Sequence, residues 1–391
     1  MNPPSVEARP LHILLMADRD WTHPQGGGSG ANLYAQVAHW IEWGHRVTVV
    51  TGTYPGAKPF EQITPRLAVH RMGDRATVFP KSIGRIMRGL GKDADVVLEV
   101  INGITYNTPL WLRRRPRAAL VHHVHKDLYV GEFGRVKGLL LHWFLEALPL
   151  RLLYRSTPFI TISNAAKRDM VELGLPEENI TVEYLGVEPG AFRRSQRAPE
   201  PRLLYLGRLK AYKRIEHTLD VLEAIPEAHL DIAGEGDHHV ALEAEIERRG
   251  LADRVTMHGW VDDETKAELY GRAWVSLTAS SSEGWSLTVM EGALCGTPSA
   301  ALAVGGLSES IVDGKTGILA KTPSELIRRV REVIDDPELR ERLGDQAERR
   351  AREFTWERSA HANLAVLAQA CGQRAVLGPP AVVQDPSRVP A

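Results

Sequence analysis

The sequence predicts an α/β protein with two units, each organised around a parallel β-sheet, and three observations support this prediction. The chain has 391 residues, of which 43% are hydrophobic, and this length exceeds that of one ordinary domain. Short apolar segments alternate with amphipathic ones, and alternating strands and helices are typical of parallel sheets. A segment with three prolines and several arginines, Glu188–Pro201, divides the alternation into two series.

The first series opens with a complete strand–helix–strand unit, in which a Gly-rich turn at Gly26–Gly30 precedes the helix. Its strands are recognised as short apolar runs and its helices by a period near 3.6 residues. The predicted strands are Leu11–Ala17, Arg46–Thr51, Asp95–Val100, Ala118–Val121 and Phe159–Ile162, and the predicted helices are Ala31–Trp43 and Ala165–Leu173.

The second series alternates more regularly, and after Pro323 the pattern is helical only. Its predicted strands are Leu203–Leu206, His229–Ala233, Val255–Met257 and Trp274–Thr278. Its predicted helices are His217–Ala224, Val240–Arg249, Glu264–Gly271, Leu287–Leu294, Ser324–Asp335, Pro337–Glu353 and Trp356–Ala370.

Charge and cysteine content exclude several classes of protein. With 48 basic and 49 acidic residues the net charge is −1, whereas a nucleic-acid-binding domain is usually basic, so we expect no nucleic-acid partner. Two cysteines, Cys295 and Cys371, cannot build a disulfide framework or a cysteine-rich zinc site. The apolar run Ile13–Ala17 is too short for a signal peptide core, and no run of about 18 apolar residues predicts a spanning helix. We therefore expect a cytoplasmic protein.

One segment, Gly134–Arg155, combines Leu, Trp and Phe with Arg and Lys. It has two interpretations. It is either a buried amphipathic helix pair broken at Pro149, or a helix that lies on a membrane surface. The second interpretation would give the protein a peripheral contact with the inner face of the membrane.

The strongest motif is a pair of glutamates, Glu283 and Glu291, separated by seven residues. Glu283 lies in a Ser-rich loop after a strand, and Glu291 lies on the helix that begins near Ser286. The free N–H groups at the start of that helix suit a phosphate or a sugar oxygen, and the carboxylates could bind hydroxyls beside it. A helix cap followed by a solvated glutamate is the simpler alternative.

A second motif, Gly207–Lys213, directly follows the strand Leu203–Leu206. Ligands of open parallel sheets bind at the carboxyl ends of the strands. Arg208 and Lys213 can therefore reach a pyrophosphate, although a basic loop alone is usually solvated surface.

With these motifs the chain resembles the glycosyltransferases of family 4 in the expected order over residues 10–370. The other matching features are Gly27–Gly28 before the first helix, Gly234–Gly236 after a strand, Gly305–Gly306 after Thr297–Pro298, and Phe354–Trp356 at the last helix.

The resemblance implies a GT-B fold, in which two Rossmann-like domains have parallel sheets facing across a cleft that closes on binding. Residues 1–195 would bind the acceptor, partly through variable loops at Tyr54–Pro65 and Lys126–Arg135. Residues 196–355 would bind the donor, residues 356–372 would form a helix crossing back to the first domain, and residues 373–391 would be a disordered tail.

The resemblance also implies a retaining transfer of sugar from a nucleotide-diphosphate-sugar donor to an acceptor, which could be a natural product, a lipid or a polysaccharide. No metal and no cofactor are expected. Glu291 would hold the ribose hydroxyls, and Glu283 would lie near the transferred sugar beside the Leu287 and Thr288 amides. The remaining donor-binding residues would be Arg208 and Lys213 at the diphosphate, Gly27 and Gly28 close to a phosphate, and Gly234 with His258–Trp260 around the base.

Three histidines, His122, His123 and His125, follow the strand Ala118–Val121. In the family, a histidine after this strand lies between the transferred sugar and the acceptor. His123 fits that position best and His125 is the second choice, while a structural role remains an alternative for each. A metal site is disfavoured because no further ligand is near in the sequence.

Other interpretations have weaker support. Asp93–Asp95 has the spacing of a metal-binding DxD motif, but it lies at the amino end of a strand. Ligands of parallel sheets bind at the carboxyl ends of the strands, which disfavours a metal site here. Gly26–Gly30 lacks the spacing of a dinucleotide fingerprint, which disfavours a dehydrogenase. A sugar-nucleotide epimerase and a non-catalytic sugar-nucleotide-binding subunit remain the alternative functions on the same fold.

Overall fold

The computed structural model describes residues 9–373, which form two compact units. The first unit contains the chain up to Ile162, residues 166–186 and the segment that begins at Trp356. The second unit contains Ser163–Ala165 and Val187–Thr355. The chain therefore enters the second unit at Val187, before the boundary expected at residue 196. Apart from Gln373, the predicted tail at 373–391 lies outside the described residues.

The first unit has an eight-stranded sheet in which all neighbouring strands are parallel except one antiparallel edge pair. Its strands are β1 His12–Met16, β2 Arg46–Thr51, β3 Phe60–Thr64, β4 Leu67–Arg71, β5 Val96–Ile101, β6 Arg117–Val121, β7 Phe159–Thr161 and β8 Ile180–Val182. Their order across the sheet is β3-β4-β2-β1-β5-β6-β7-β8. Central β1 and β5 are buried throughout, as expected for strands covered by helices on both faces.

Seven α-helices and a short π-helix accompany these strands. The α-helices are α1 Gly27–Glu42, α2 Val78–Met87, α3 Thr108–Trp111, α4 Lys126–Phe133, α5 Arg135–His142, α6 Leu148–Leu153 and α7 Asn164–Glu172. The π-helix Trp143–Ala147 joins α5 to α6.

The second unit has a six-stranded, wholly parallel sheet with the order β11-β10-β9-β12-β13-β14. Its strands are β9 Arg202–Leu206, β10 His229–Ala233, β11 Val255–Gly259, β12 Val275–Thr278, β13 Ser299–Leu302 and β14 Gly317–Ala320. Its helices are α8 Glu216–Ala224, α9 His239–Arg248, α10 Asp263–Arg272, α11 Leu287–Leu294, α12 Leu307–Ser310, α13 Pro323–Asp335 and α14 Pro337–Ala351. Two parallel-sheet α/β units confirm the predicted fold class.

The last helix, α15 (Trp356–Ala370), belongs to the first unit, although the second unit precedes it in the chain. Its apolar face, with Leu364 and Leu367, joins the core that contains Ile13 and Trp40. The Trp40 indole donates a hydrogen bond to the Ala360 carbonyl at 2.9 Å. The core of the first unit is thus completed by a helix from the other end of the chain.

The structure corrects three local predictions. Residues Gly27–Gly30 form the first turn of α1 rather than a turn before it, because glycine at Gly27 adopts φ +54° and starts the helix. Most of the loop expected at Lys126–Arg135 is helix α4, and the other expected loop, Tyr54–Pro65, contains edge strand β3.

The segment Gly134–Arg155 is also different from the helix pair that we expected. It runs through α5, the π-helix and α6 without a break at Pro149, which lies in the first turn of α6. Pro149 has no N–H to donate, and α6 directly follows the π-helix, where the regular i→i−4 hydrogen-bond pattern is already interrupted. Within residues 9–373, no helix is both long enough and apolar enough to cross a membrane.

Candidate active site

In the second unit, the loops after β9 and β12 lie side by side at the carboxyl ends of neighbouring strands. The Ser281 backbone N–H and side-chain hydroxyl both donate to the Tyr212 carbonyl, at 2.8 and 3.1 Å. These bonds connect the loop that carries Arg208 and Lys213 to the loop that carries Glu283. The structure therefore brings together the two motifs that the sequence placed seventy residues apart.

An ion pair between Lys213 and Glu283 lies at the centre of this region, and each side chain is only 15% exposed. The Ser280 hydroxyl donates a second hydrogen bond to Glu283 Oε1 at 2.9 Å. A charge-assisted hydrogen bond in a partly dry environment is stronger than one at the surface. Lys213 and Ser280 therefore fix the position of the Glu283 carboxylate.

Two glycines after β13 allow the Glu283 loop to pack closely. A Cβ atom on Gly305 would lie 2.5 Å from the Glu283 carbonyl oxygen, and one on Gly306 would lie 1.8 Å from that of Gly284. The Gly306 N–H donates to the Glu283 carbonyl at 2.8 Å. A side chain at either position would displace the loop, which explains the Gly-Gly motif physically.

The Gly234–Gly236 motif has a similar packing role beside the other loop. Gly234 adopts φ +136°, and a Cβ atom there would lie 1.9 Å from the Gly207 carbonyl oxygen. A Cβ atom on Gly236 would lie equally close to the Leu209 carbonyl oxygen. The Gly234 N–H donates to the Gly259 carbonyl at 2.7 Å, which connects this motif to the loop where a base was expected.

The Arg208 side chain is exposed, and a hydrogen bond from the Tyr205 hydroxyl fixes the Arg208 backbone. The buried Tyr205 hydroxyl donates to the Arg208 carbonyl at 3.0 Å, while the Arg208 guanidinium lies 3.4 Å from the Tyr212 hydroxyl. Fixed backbone and an exposed guanidinium are what a loop needs if it is to bind an anion in solution.

Helix α11 places Glu291 about one turn after the end of the Glu283 loop. Its N-terminus follows Ser286, which adopts φ +77°, so that Leu287 and Thr288 occupy the first turn with N–H groups that lack an intrahelical acceptor. Burial raises the pKa of Glu291, while nearby Lys266 opposes this shift. The Tyr270 hydroxyl lies 3.4 Å from Glu291 Oε2 and donates to it.

The three histidines of the first unit have different environments. His122 is buried, its Nε2 lies 3.1 Å from the Asn32 amide nitrogen, and burial lowers its pKa to about 4. His123 and His125 are partly exposed, and their rings stack with centroids 4.2 Å apart. Neutral His122 therefore belongs to the core, while His123 and His125 occupy the loop after β6.

Gly27 and Gly28 lie exposed at the start of α1, and the loop before them is held by a buried ion pair. Arg71 Nε donates to Asp20 Oδ2 at 2.6 Å, with each side chain only 1% exposed. Sequence reasoning missed this pair, because Asp20 and Arg71 are far apart in the chain and neither forms part of a motif.

Asp93 and Asp95 are engaged in ion pairs at the amino ends of the strands. Asp93 contacts Arg46, and Asp95 accepts hydrogen bonds from Arg9 at 2.6 Å and from the His12 N–H at 2.8 Å. Among the described residues, no three His, Cys, Asp or Glu side chains are grouped so that they could hold a metal ion.

Two family models match successive parts of the chain. Residues 26–190 match the model described as Glycosyltransferase Family 4, and residues 191–350 match the model described as Glycosyl transferases group 1.

Individual proteins are similar over most of the chain. A glycogen synthase of Mycobacterium tuberculosis is 27% identical over 93% of this chain and 96% of its own. A GDP-mannose-dependent alpha-(1-6)-phosphatidylinositol dimannoside mannosyltransferase of the same organism is 26% identical over 88% of this chain and 93% of its own. The solved sucrose-phosphate synthase of Thermosynechococcus elongatus is 19% identical, covers 92% of this chain and 98% of its own, and superposes with a TM-score of 0.79. The chain therefore belongs to family 4 of the glycosyltransferases and has their GT-B fold.

Proposed function

We propose that this glycosyltransferase transfers a sugar from a nucleotide-diphosphate-sugar donor with retention of the anomeric configuration, and that the second unit binds the donor. The observation that carries this proposal is the Lys213–Glu283 ion pair at the carboxyl ends of β9 and β12, with Glu283 in the loop that leads into helix α11, which also carries Glu291. The GDP-mannose dependence of the mycobacterial relative supports a donor of this class.

The diphosphate would be bound by positive charge on both sides. The exposed Arg208 offers a planar fork, and Lys213 offers a point charge that a phosphate oxygen can share with Glu283. These groups would stabilise the charge that grows on the leaving diphosphate. The family resemblance is the support for assigning Gly27 and Gly28 to donor binding as well. A metal ion would then be unnecessary, and no cofactor is proposed.

The two glutamates would bind sugar hydroxyls. Glu291 lies about one turn into α11, where hydrogen bonds to two vicinal ribose hydroxyls would satisfy its partly buried carboxylate. Glu283, held by Ser280, would contact the transferred sugar beside the Leu287 and Thr288 amides. On the family resemblance, His123 or His125 of the first unit would act beside the acceptor.

A thermal-shift measurement with UDP, GDP, ADP and dTDP tests donor binding, because a ligand that binds only the native state raises the melting temperature. At 100 times its dissociation constant, the preferred nucleotide should stabilise the protein by about 2.7 kcal/mol. The Glu291→Gln variant should lose most of this shift. Glu268→Gln on the exposed face of α10 is the matched control. An equal shift in Glu291→Gln and wild type, or no shift with any nucleotide, would contradict the proposal.

We also propose that a cytoplasmic membrane surface is the site of acceptor transfer, and that the segment Arg135–Leu153 contacts it. This segment exposes apolar side chains that a soluble protein usually buries: Val136, Leu139, Leu140, Trp143, Phe144 and Leu152. Exposed Arg135, Lys137 and Arg151 lie on the same segment. Aromatic and aliphatic groups next to basic ones suit an interface with anionic lipid. A lipid acceptor would be consistent with this location.

A further inference from the structure

Glu146 belongs to none of the sequence motifs that predicted site residues, and it is wholly buried in the first unit. It lies on the π-helix Trp143–Ala147, and π-helical turns are rare and frequently occur at functional sites. The same segment exposes Trp143 and Phe144 to solvent while His142 and Glu146 point into the protein. Around the π-helix, two polar side chains, His142 and Glu146, are therefore buried while two aromatic ones are exposed, which is the reverse of the usual pattern of a surface helix.

The buried carboxylate holds His125 through two hydrogen bonds. Glu146 Oε1 lies 3.1 Å from His125 Nδ1, and Glu146 Oε2 accepts from the His125 backbone N–H at 3.0 Å. His142 Nδ1 approaches Glu146 Oε2 at 3.0 Å from the preceding turn. Burial opposes ionisation of Glu146, but the hydrogen bonds from His125 and His142 outweigh it and lower the carboxyl pKa to about 2.

An ionised carboxylate only accepts hydrogen bonds, so His125 must carry its proton on Nδ1. The hydrogen bond made by one ring nitrogen decides the state of the other, and Nε2 of neutral His125 is therefore left as the acceptor. Two further contacts limit the movement of the His125 ring. The His123 ring stacks on it, and Gly103 packs so close that a Cβ atom added there would lie 3.2 Å from His125 Cγ.

We infer that Glu146 is a positioning residue that fixes the orientation and tautomer of His125, and that His125 is used beside the acceptor. This inference rests on the proposed function, in which an imidazole from the loop after β6 lies beside the acceptor. A buried carboxylate behind an imidazole orients it and compensates positive charge on the ring whenever Nε2 accepts a proton.

The first measurement requires no substrate. In ¹⁵N NMR spectra of histidine-labelled protein near pH 8, His125 should appear as the Nδ1–H tautomer in wild type. In Glu146→Gln it should shift towards the Nε2–H tautomer, because the amide can donate to Nδ1. Glu99→Gln is the matched control, since Glu99 is equally buried in the same unit but bonds to Tyr106, Thr108 and Tyr154. An identical His125 signal in wild type and Glu146→Gln would overturn the inference.

The second measurement is the rate of nucleoside diphosphate release from UDP-, GDP-, ADP- and dTDP-glucose. Glu146→Gln should lower kcat on the order of 100-fold, with nucleotide affinity unchanged, because the change lies in the first unit. The double variant Glu146→Gln/His125→Phe should be no slower than His125→Phe, since residues that act as a unit are not additive. An additive double variant would show that Glu146 acts independently of His125. No release by wild type would count against the proposed function instead.

Discussion

At the scale of single residues, variants of the Lys213–Glu283 pair test its proposed role, because single and double variants should differ in stability but not in their loss of turnover. Lys213→Ala or Glu283→Ala leaves one largely buried charge without its partner and should lower the free energy of unfolding by about 2–4 kcal/mol. Each should also reduce turnover by orders of magnitude. The double variant should recover part of the stability but none of the turnover.

Lys210→Ala is the control for this prediction. Lys210 lies on the same loop and pairs with Asp237 at 2.6 Å, but both side chains are substantially exposed. An exposed pair contributes little, so chemical denaturation and rate measurements should both show a minor change. Full activity in Glu283→Ala would contradict the proposed role of the pair.

Sequence reasoning predicted Arg208, Lys213, Glu283 and Glu291 as site residues because they lie in loops after strands or on the helix that follows, where ligands of parallel sheets bind. It could not identify Glu146. A single glutamate among leucines and aromatics is typical of the solvated side of an amphipathic helix, and only tertiary contacts show that it is buried. The hydrogen bonds between Glu146 and His125 likewise join residues that are 21 positions apart in the sequence.

At the scale of elements, the segment from α5 to α6 predicts lipid binding that depends on its exposed aromatic side chains. The double variant Trp143→Ser/Phe144→Ser should lose most of its co-sedimentation with phosphatidylglycerol vesicles, because it removes apolar area that would enter the interface. Melting temperature should barely change, since both side chains are exposed in the native state.

A matched control for the vesicle experiment is Val240→Ser, which changes an even more exposed apolar residue on α9 of the second unit. It should sediment as wild type does. Phosphatidylcholine vesicles should bind the wild type less well, because they offer no charge to Arg135, Lys137 and Arg151. Sedimentation of wild type with neither lipid would refute the proposed membrane contact.

Helices and strands with a strong apolar pattern were predicted well, whereas short or polar strands were missed. Helices α11 and α15 and strands β2 and β10 have the predicted bounds, because their apolar pattern is strong and their ends carry clear signals. Strand β3 was missed because it is a polar, exposed edge strand without an apolar run. Strands β13 and β14 were missed because they are four residues long and rich in Ala and Gly.

At the scale of the whole molecule, Glu183 predicts how the stability of the protein depends on pH. Burial raises the pKa of Glu183 to about 7, against the opposing charge of Arg358. The folded protein then holds this proton more tightly than the unfolded chain, so stability falls as the pH rises from about 4.5 to about 7.

The Glu183→Gln variant should remove this dependence, because an amide does not ionise. Relative to wild type it should be more stable at pH 8, on the order of 1–2 kcal/mol after solvent screening, and equally stable at pH 4. Urea denaturation at both pH values measures the difference. Exposed Glu178→Gln is the control and should match wild type at each pH. Equal stability of Glu183→Gln and wild type at pH 8 would refute the prediction.

The position of α15 has a consequence for how the chain folds during synthesis. Residues 187–355 are complete as a unit before α15 leaves the ribosome, so the second unit can finish folding while the first still lacks Ala360, Leu364 and Leu367 from its core. Domains usually fold from the N-terminus onwards as they emerge. Here the first unit receives its last core helix only after the second unit has been synthesised, and until then the core around Trp40 lacks the apolar face of α15.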